Sequence, residues 1–318
     1  MTQIGYTLSS EEHTPTELVE NARRAEEIGF DFVSISDHFH PWVSAQGESG
    51  FVWSTLGGIA TATDEIDVGV GVTCPTYRIH PANVAHAVAT VASMFDGRFT
   101  FGVGTGENLN EHVTGEGWPE HDVRLERLEE AMDVMHTLWE GGNVNHRGKH
   151  YTVQNAKLFT LPEETPPVVV SAFGPKTARW AAEYGDGLWS TGTDEEVASE
   201  YEEAGGEGAR YTQLDVCYAE SEAEAVDTVY EYWPNGSMPG ELSQQLESPA
   251  HFEQAAQLVE RDDIEEGSTI TTPDVGEYVD SYEEAVEAGY DHVYFHQIGP
   301  DQKAFLEFFE EELQPRLS

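Results

Sequence analysis

The sequence predicts an α/β protein of the (β/α)8 TIM-barrel class, with insertions above the C-terminal barrel mouth. Three observations carry this. Apolar runs of strand length alternate with helical patterns almost from end to end, and eight such runs can be placed. The residues with chemistry to offer collect where those runs stop. In 318 residues no low-complexity linker or fixed-period repeat divides the chain, so residues 1–318 read as a single domain.

The elements follow in order. Ile4 to Leu8 reads as the first strand, and Thr14-Pro15-Thr16-Glu17 opens a helix with a cap, an early proline and an acid in its first turn. That helix runs to Gly29, and Phe30 to Ser36 is the second strand. Phe51 to Thr63 is a helix, Ile66 to Thr73 the third strand, Pro81 to Phe95 a helix and Phe99 to Gly104 the fourth strand. Arg124 to Glu140 makes a long amphipathic helix, and Asn143 to Val153 a hairpin turning at Gly148. Pro167 to Ala172, Gly187 to Ser190, Tyr211 to Ala219 and Asp291 to His296 supply the remaining strands. Helices at Pro175 to Tyr184, Ser221 to Tyr232 and Phe305 to Leu313 lie between and after them. Trp233 to Thr272 interrupts the pattern and reads as an insertion above the barrel mouth.

The composition excludes several classes of function. Sixty acids stand against 15 Lys+Arg, a formal charge of -45, and the acids are spread along the chain rather than gathered in a tail. Such even acidity suits concentrated salt, where a Debye length of ~3 Å at 1 M screens the self-repulsion. A nucleic acid or an anionic membrane surface would repel this protein. No apolar run reaches the ~18 residues needed to span a bilayer, and the N-terminus shows no basic leader, so a cytoplasmic protein is expected. Cys74 and Cys217 form no CxxC and imply neither a disulfide framework nor a zinc ribbon.

Four strand ends carry candidate chemistry. The second strand leads into Ser36-Asp37-His38-Phe39-His40-Pro41-Trp42, an acid, two imidazoles and an indole at a barrel mouth. Asp37 taken by itself fits a helix cap equally well. The third strand ends Val70-Gly71-Val72-Thr73-Cys74-Pro75, where a glycine inside a strand marks a bulge or a close approach to something bound. The fourth ends Gly102-Val103-Gly104-Thr105-Gly106-Glu107, which departs from G-x-G-x-x-G because the third glycine is early and no helix opens directly afterwards. Glu107 there is placed to act as an acid if its surroundings raise its pKa. The fifth ends Ala172-Phe173-Gly174-Pro175-Lys176-Thr177 and enters a helix, an anion-binding arrangement that holds one of only four lysines. Neither His38-x-His40 nor His146-x-x-x-His150 comes with the carboxylates of a catalytic metal site, so no metal is expected.

These segments, together with Trp118-Pro119-Glu120, Gly174-Pro175 and the C-terminal Leu313-Gln314-Pro315-Arg316-Leu317, resemble the luciferase-like superfamily, in its coenzyme F420-dependent oxidoreductase branch. The resemblance spans nearly the whole chain. It implies a TIM barrel, usually a homodimer, with the deazaflavin coenzyme F420 at the carboxyl ends of the strands. It also implies a non-proline cis peptide at Gly71–Val72 supporting the ring. By the same resemblance Asp37 and Asn110 contact the coenzyme, and Thr105, Gly106 and the Ala172 to Thr177 segment hold its side chain and phosphate. His38, Trp42 and Glu107 then face a small-molecule substrate, with Glu11 a further acid of the pocket. The implied reaction passes a hydride from a carbinol carbon to the deazaflavin, with His38 or Glu107 as base and the other as acid.

Members of this branch that oxidise phosphosugars clamp the phosphate with two lysines and an arginine. In the matching regions this chain has Thr191-Gly192-Thr193-Asp194, Leu242-Ser243-Gln244-Gln245 and Glu266-Gly267-Ser268. A neutral sugar or secondary alcohol is therefore favoured, with Thr191 a substrate contact. A sugar-phosphate dehydrogenase with an altered phosphate site, an FMN-dependent monooxygenase and a deazaflavin-binding protein without turnover are the competing readings.

Overall fold

The computed structural model describes residues 2–238 and 240–317. Eight parallel strands close into a barrel in sequence order, the first pairing with the eighth from Gln3↔His292 to Tyr6↔Phe295. The strands are Gln3–Leu8, Phe32–Ile35, Asp67–Thr73, Phe99–Val103, Val168–Ser171, Gly187–Ser190, Ala209–Val216 and His292–Gln297. Strands covered on both faces need apolar side chains on both, and Phe32–Ile35 and Gly187–Ser190 are buried throughout. Helices pack outside, where Val33, Ile35, Val68 and Val70 meet Leu56, Val84, Val88 and their neighbours in one core.

Inside the barrel, Trp189 stacks on Tyr211 at 4.3 Å between ring centroids and its indole N–H donates to the Tyr294 hydroxyl at 2.6 Å. The glycines of the third strand make room for this indole. A Cβ at Gly71 would lie 2.5 Å from Trp189 Cζ2, and one at Gly69 would lie 2.8 Å from its Cη2. The close approach marked by Gly71 therefore includes a side chain of the sixth strand. The register of the third strand shifts between Val70 and Thr73, and the Gly71–Val72 peptide is cis, at the place the resemblance implied.

Some boundaries differ from the sequence reading. The long helix begins at His121, and Val144–Arg147 pairs antiparallel with Thr152–Ala156 in the hairpin. Helices Glu195–Glu203 and Val275–Glu287, absent from the sequence reading, complete the alternation before the seventh and eighth strands. Their acid-rich faces blur the apolar period, since the first carries Glu195, Glu196, Glu200, Glu202 and Glu203 in nine residues. The seventh strand stops at Val216, where Ile270 bridges to it. The insertion folds into the short helices Pro234–Ser237, Leu242–Gln245, Pro249–Ala256 and Arg261–Glu265. Its Trp233, Phe252, Val259 and Ile264 form a second apolar cluster with Trp42, which ties the insertion to the mouth. Among the described residues no helix is long and apolar enough to cross a membrane.

Candidate active site

A cavity of about 600 Å³ opens at the carboxyl ends of the strands, within the size range of small-molecule and cofactor sites. His38, Glu11 and Glu107 meet in it. His38 Nε2 lies 3.2 Å from Glu11 Oε1 and 3.5 Å from Glu107 Oε2, while Nδ1 faces the His40 carbonyl at 3.1 Å. Nδ1 is held between that carbonyl and Asn110 Nδ2 at 3.2 Å, which leaves Nε2, beside the two carboxylates, as the atom placed to exchange a proton. Trp42 closes over the imidazole, 5.0 Å between ring centroids, and is itself wedged against Phe252.

The three groups titrate as one cluster. Burial disfavours the imidazolium, yet Glu11 and then Glu107 outweigh it and raise His38 above the usual histidine value. Burial also disfavours the Glu11 carboxylate, but the His38 charge and the Ser36 hydroxyl hold it below the usual glutamate value. Glu107 moves up: burial leads, the His38 pull opposes it and the Glu11 charge adds to it. Two carboxyl groups are thus pushed apart around one imidazole, an arrangement suited to acid–base work.

Asn110 holds this cluster in place. Its Oδ1 accepts from the backbone N–H of Phe39 and of His40 at 2.9 and 3.2 Å, and its Nδ2 donates to Glu107 at 3.1 Å. It sits on a short helix, Asn108–Glu111, that opens directly after Glu107. This corrects the expectation that no helix follows the glycine run. One helical turn is too short to leave a periodic signal in sequence.

Asp37 is fully buried and committed to the chain's own groups. Thr73 donates to one carboxylate oxygen and Arg78 Nη2 to the other, both at 2.8 Å. Arg78 also faces Glu111 at 3.6 Å, and burial pushes the Glu111 carboxyl up to about 7 despite that guanidinium. The helix-cap reading of Asp37 has no support here, because its carboxylate reaches no helix N-terminus. Burial drives the Cys74 thiol well up, so Cys74 is no nucleophile.

A glycine-rich cradle of backbone runs from the Gly71–Val72 bulge to Gly104, Thr105 and Gly106, all lining the cavity. Gly106 adopts φ +81°, and a Cβ there would lie 2.6 Å from Cys74 Sγ. At the other end Phe173, Gly174 and Thr177 line the cavity, and nothing lies within 4 Å of a Cβ placed on Gly174. Bare backbone at the start of the ten-residue helix Pro175–Tyr184 suits an anionic arm. The residues present therefore fit a deazaflavin with a phosphate-bearing side chain. Ala172, Pro175 and Lys176 stand outside the lining, and the Lys176 ammonium pairs with Asp122 on the surface. Glu11 and Thr191 both line the cavity.

Several lining or supporting residues escaped the sequence reading. Arg124 is buried, donates to the Pro119 carbonyl at 2.9 Å and lies over the Trp118 ring at 4.5 Å. Among the described residues it is the only lysine or arginine in the lining. Its signal was available: a scarce cation on the apolar stripe of Leu125, Leu128, Ala131 and Met132. Arg78, Gln213, Asp215 and His296 left no motif, since distant strands bring them together. Among the described residues no group of three or more His, Cys, Asp or Glu side chains is placed to hold a metal ion. His40 turns away to the Leu109 carbonyl at 2.9 Å, and His146 pairs with Glu130.

Known proteins resemble this chain over nearly its whole length. The chain is 36% identical over 329 residues to the F420-dependent glucose-6-phosphate dehydrogenase of Rhodococcus erythropolis, covering 99% of this chain and 97% of that one. It is 36% identical over 338 residues to the enzyme of the same name from Gordonia bronchialis, with the same coverage of each. In structure it matches an F420-dependent secondary alcohol dehydrogenase in complex with an F420–acetone adduct, with a TM-score of 0.91 and 32% identity. That match covers 100% of this chain and 99% of the other. The luciferase-like monooxygenase family model matches residues 1–292, and the chain belongs to that family.

Proposed function

We propose that this protein is a coenzyme F420-dependent dehydrogenase that oxidises a carbinol. The observation that carries the reading is the His38–Glu11–Glu107 cluster beside the Gly71–Val72 cradle. When bound, the deazaflavin supplies a two-electron acceptor for the hydride.

The chain's own residues supply the rest. The bulge at Gly71 and Val72 would hold the ring, and Thr105 and Gly106 would hold the coenzyme's side chain. Asp37 and Asn110 would support that contact, Asp37 by fixing Arg78 and Thr73 and Asn110 by fixing the His38 loop. The segment Ala172, Phe173, Gly174, Pro175, Lys176 and Thr177 would take the phosphate arm. Its exposed backbone does this more directly than Lys176, whose charge is spent on Asp122. His38 Nε2 takes the substrate hydroxyl proton, and the Glu11 carboxylate behind it stabilises the imidazolium that forms. Glu107, whose carboxyl burial pushes up, would serve as the proton donor. Trp42 and the insertion exclude water.

The substrate reading stays with a neutral sugar or secondary alcohol, contacted by Glu11 and Thr191. Its support is the cavity wall, where Arg124 is the only Lys or Arg among the described lining residues. Asp122 of the Arg124 helix pairs with Lys176, which puts that helix beside the phosphate-arm end of the cavity. A single-domain, cytoplasmic homodimer working in concentrated salt completes the reading. The -45 charge supports the salt requirement. Titration of the purified protein with F420 and with FMN in molar KCl tests the coenzyme: saturable quenching of F420 fluorescence is expected, and a clear preference for FMN would overturn it.

A further inference from the structure

A second polar cluster lines the same cavity, on the seventh and eighth strands, which pair in register from His292↔Tyr211 to Gln297↔Val216. His296 is buried and uses both ring nitrogens: Nδ1 lies 2.9 Å from Asp215 Oδ1, and Nε2 lies 3.3 Å from Glu12 Oε2. Glu12 is fixed in turn, since its Oε1 accepts from the Gly299 N–H at 2.8 Å. Gln213 Nε2 donates to the same Asp215 Oδ1 at 2.7 Å. With both nitrogens facing carboxylates the ring is an imidazolium, and those two partners raise it to about 10 against the effect of burial. The Trp233 ring stands 4.4 Å from the His296 ring and blocks rotation.

This clamp leaves acceptors unused. Asp215 Oδ2 and Gln213 Oε1 make no hydrogen bond within the described residues, and the Asp215 side chain is 24% exposed, into the cavity. Asn235, 8% exposed, lines the cavity on the insertion side, and its Oδ1 has no partner. The His296 charge is felt at Glu11, so this wall adjoins the acid–base cluster. Fixed acceptors call for donors from the ligand. A phosphate or carboxylate brings none and meets the Asp215, Glu12 and Glu11 charges. A plain monoalcohol spends its single hydroxyl on His38 and leaves these acceptors dry and unpaired.

We propose that Asp215, clamped by His296 and Gln213 in the same cavity wall that Asn235 lines, is a specificity residue that selects a neutral substrate with at least two hydroxyl groups. One hydroxyl is oxidised at His38, and a second donates to Asp215 Oδ2. This rests on the dehydrogenase reading and narrows its substrate class to polyols and neutral sugars.

The test compares F420 reduction by wild type and Asp215→Asn with 2-propanol, a vicinal diol, glucose, glucose 6-phosphate and a vicinal amino alcohol. Wild type is expected to prefer the diol or glucose over 2-propanol and over the phosphate ester. In Asp215→Asn the KM for the preferred polyol is expected to rise about 10- to 100-fold, the range for losing one hydrogen bond to a charged group. Its kcat/KM for 2-propanol should fall much less than its kcat/KM for the polyol. An equal loss on both substrates, or a wild-type preference for the monoalcohol, the phosphate ester or the amino alcohol, would overturn the inference. Binding separates this from the hydride reading. Glucose should change the tryptophan fluorescence of the F420-loaded protein saturably, and about tenfold more weakly in Asp215→Asn, whether or not turnover follows. No saturable change with glucose or the diol would sink the polyol site alone.

Discussion

His38 Nε2 lies 3.2 Å from Oε1 of Glu11, a carboxylate brought by the loop after the first strand to the loop after the second. The pair is buried and Glu11 is held ionised, so the imidazole is a stronger base than a free histidine. For oxidation of a carbinol the neutral imidazole is the active form. The rate should therefore rise with pH through the raised His38 value and fall below it. Glu11→Gln removes the largest influence holding His38 up and leaves burial, which works the other way. The acidic limb of kcat/KM is expected to move to lower pH, with a smaller kcat on the plateau. A limb that stays in place would remove Glu11 from this role.

His38→Ala takes away the base while leaving the Gly71–Val72 cradle and the Gly174 end of the cavity intact. Turnover is expected to fall by about 10²- to 10⁴-fold, the usual contribution of a positioned general base. Affinity for F420, measured by fluorescence quenching, should change by no more than about threefold. Loss of affinity with turnover preserved would show that His38 is a coenzyme contact instead.

His296 makes a stability statement of its own. Its folded value is raised from 6.5 to about 10, so the contribution is complete below about 6.5 and is lost as pH rises through about 10. His296→Gln should melt at a lower temperature than wild type, and the gap should narrow as pH climbs from about 7 towards 10. Thermal melts of both proteins across that range check it. A gap that stays constant across that range would mean that His296 is neutral in the folded protein.

What could be read from sequence followed how local the physics was. The eight strands were legible because each is a short apolar run with both faces covered, as Phe32–Ile35 shows. His38, Trp42, Glu107, Gly106 and Gly174 were legible because each stands within a few residues of a strand end. Helices Glu195–Glu203 and Val275–Glu287 were hidden by acids that crowd the solvent face. Arg78 and Asp215 could not be found that way. Arg78 works through Asp37, which is 41 residues away, and Asp215 through His296, which is 81 residues away. Asp37 was legible as a residue of the cavity mouth, but its full commitment to Thr73 and Arg78 required the fold.

The central claim is that this cavity oxidises a carbinol with coenzyme F420 as the hydride acceptor, and anaerobic turnover tests it most directly. Purified protein in molar KCl is mixed with F420 and, in turn, a secondary alcohol, a diol and a neutral sugar, while the deazaflavin absorbance is followed. At least one should bleach it with saturation kinetics, and deuterium at the carbinol carbon should slow the bleaching. No bleaching with any of these substrates would contradict the account.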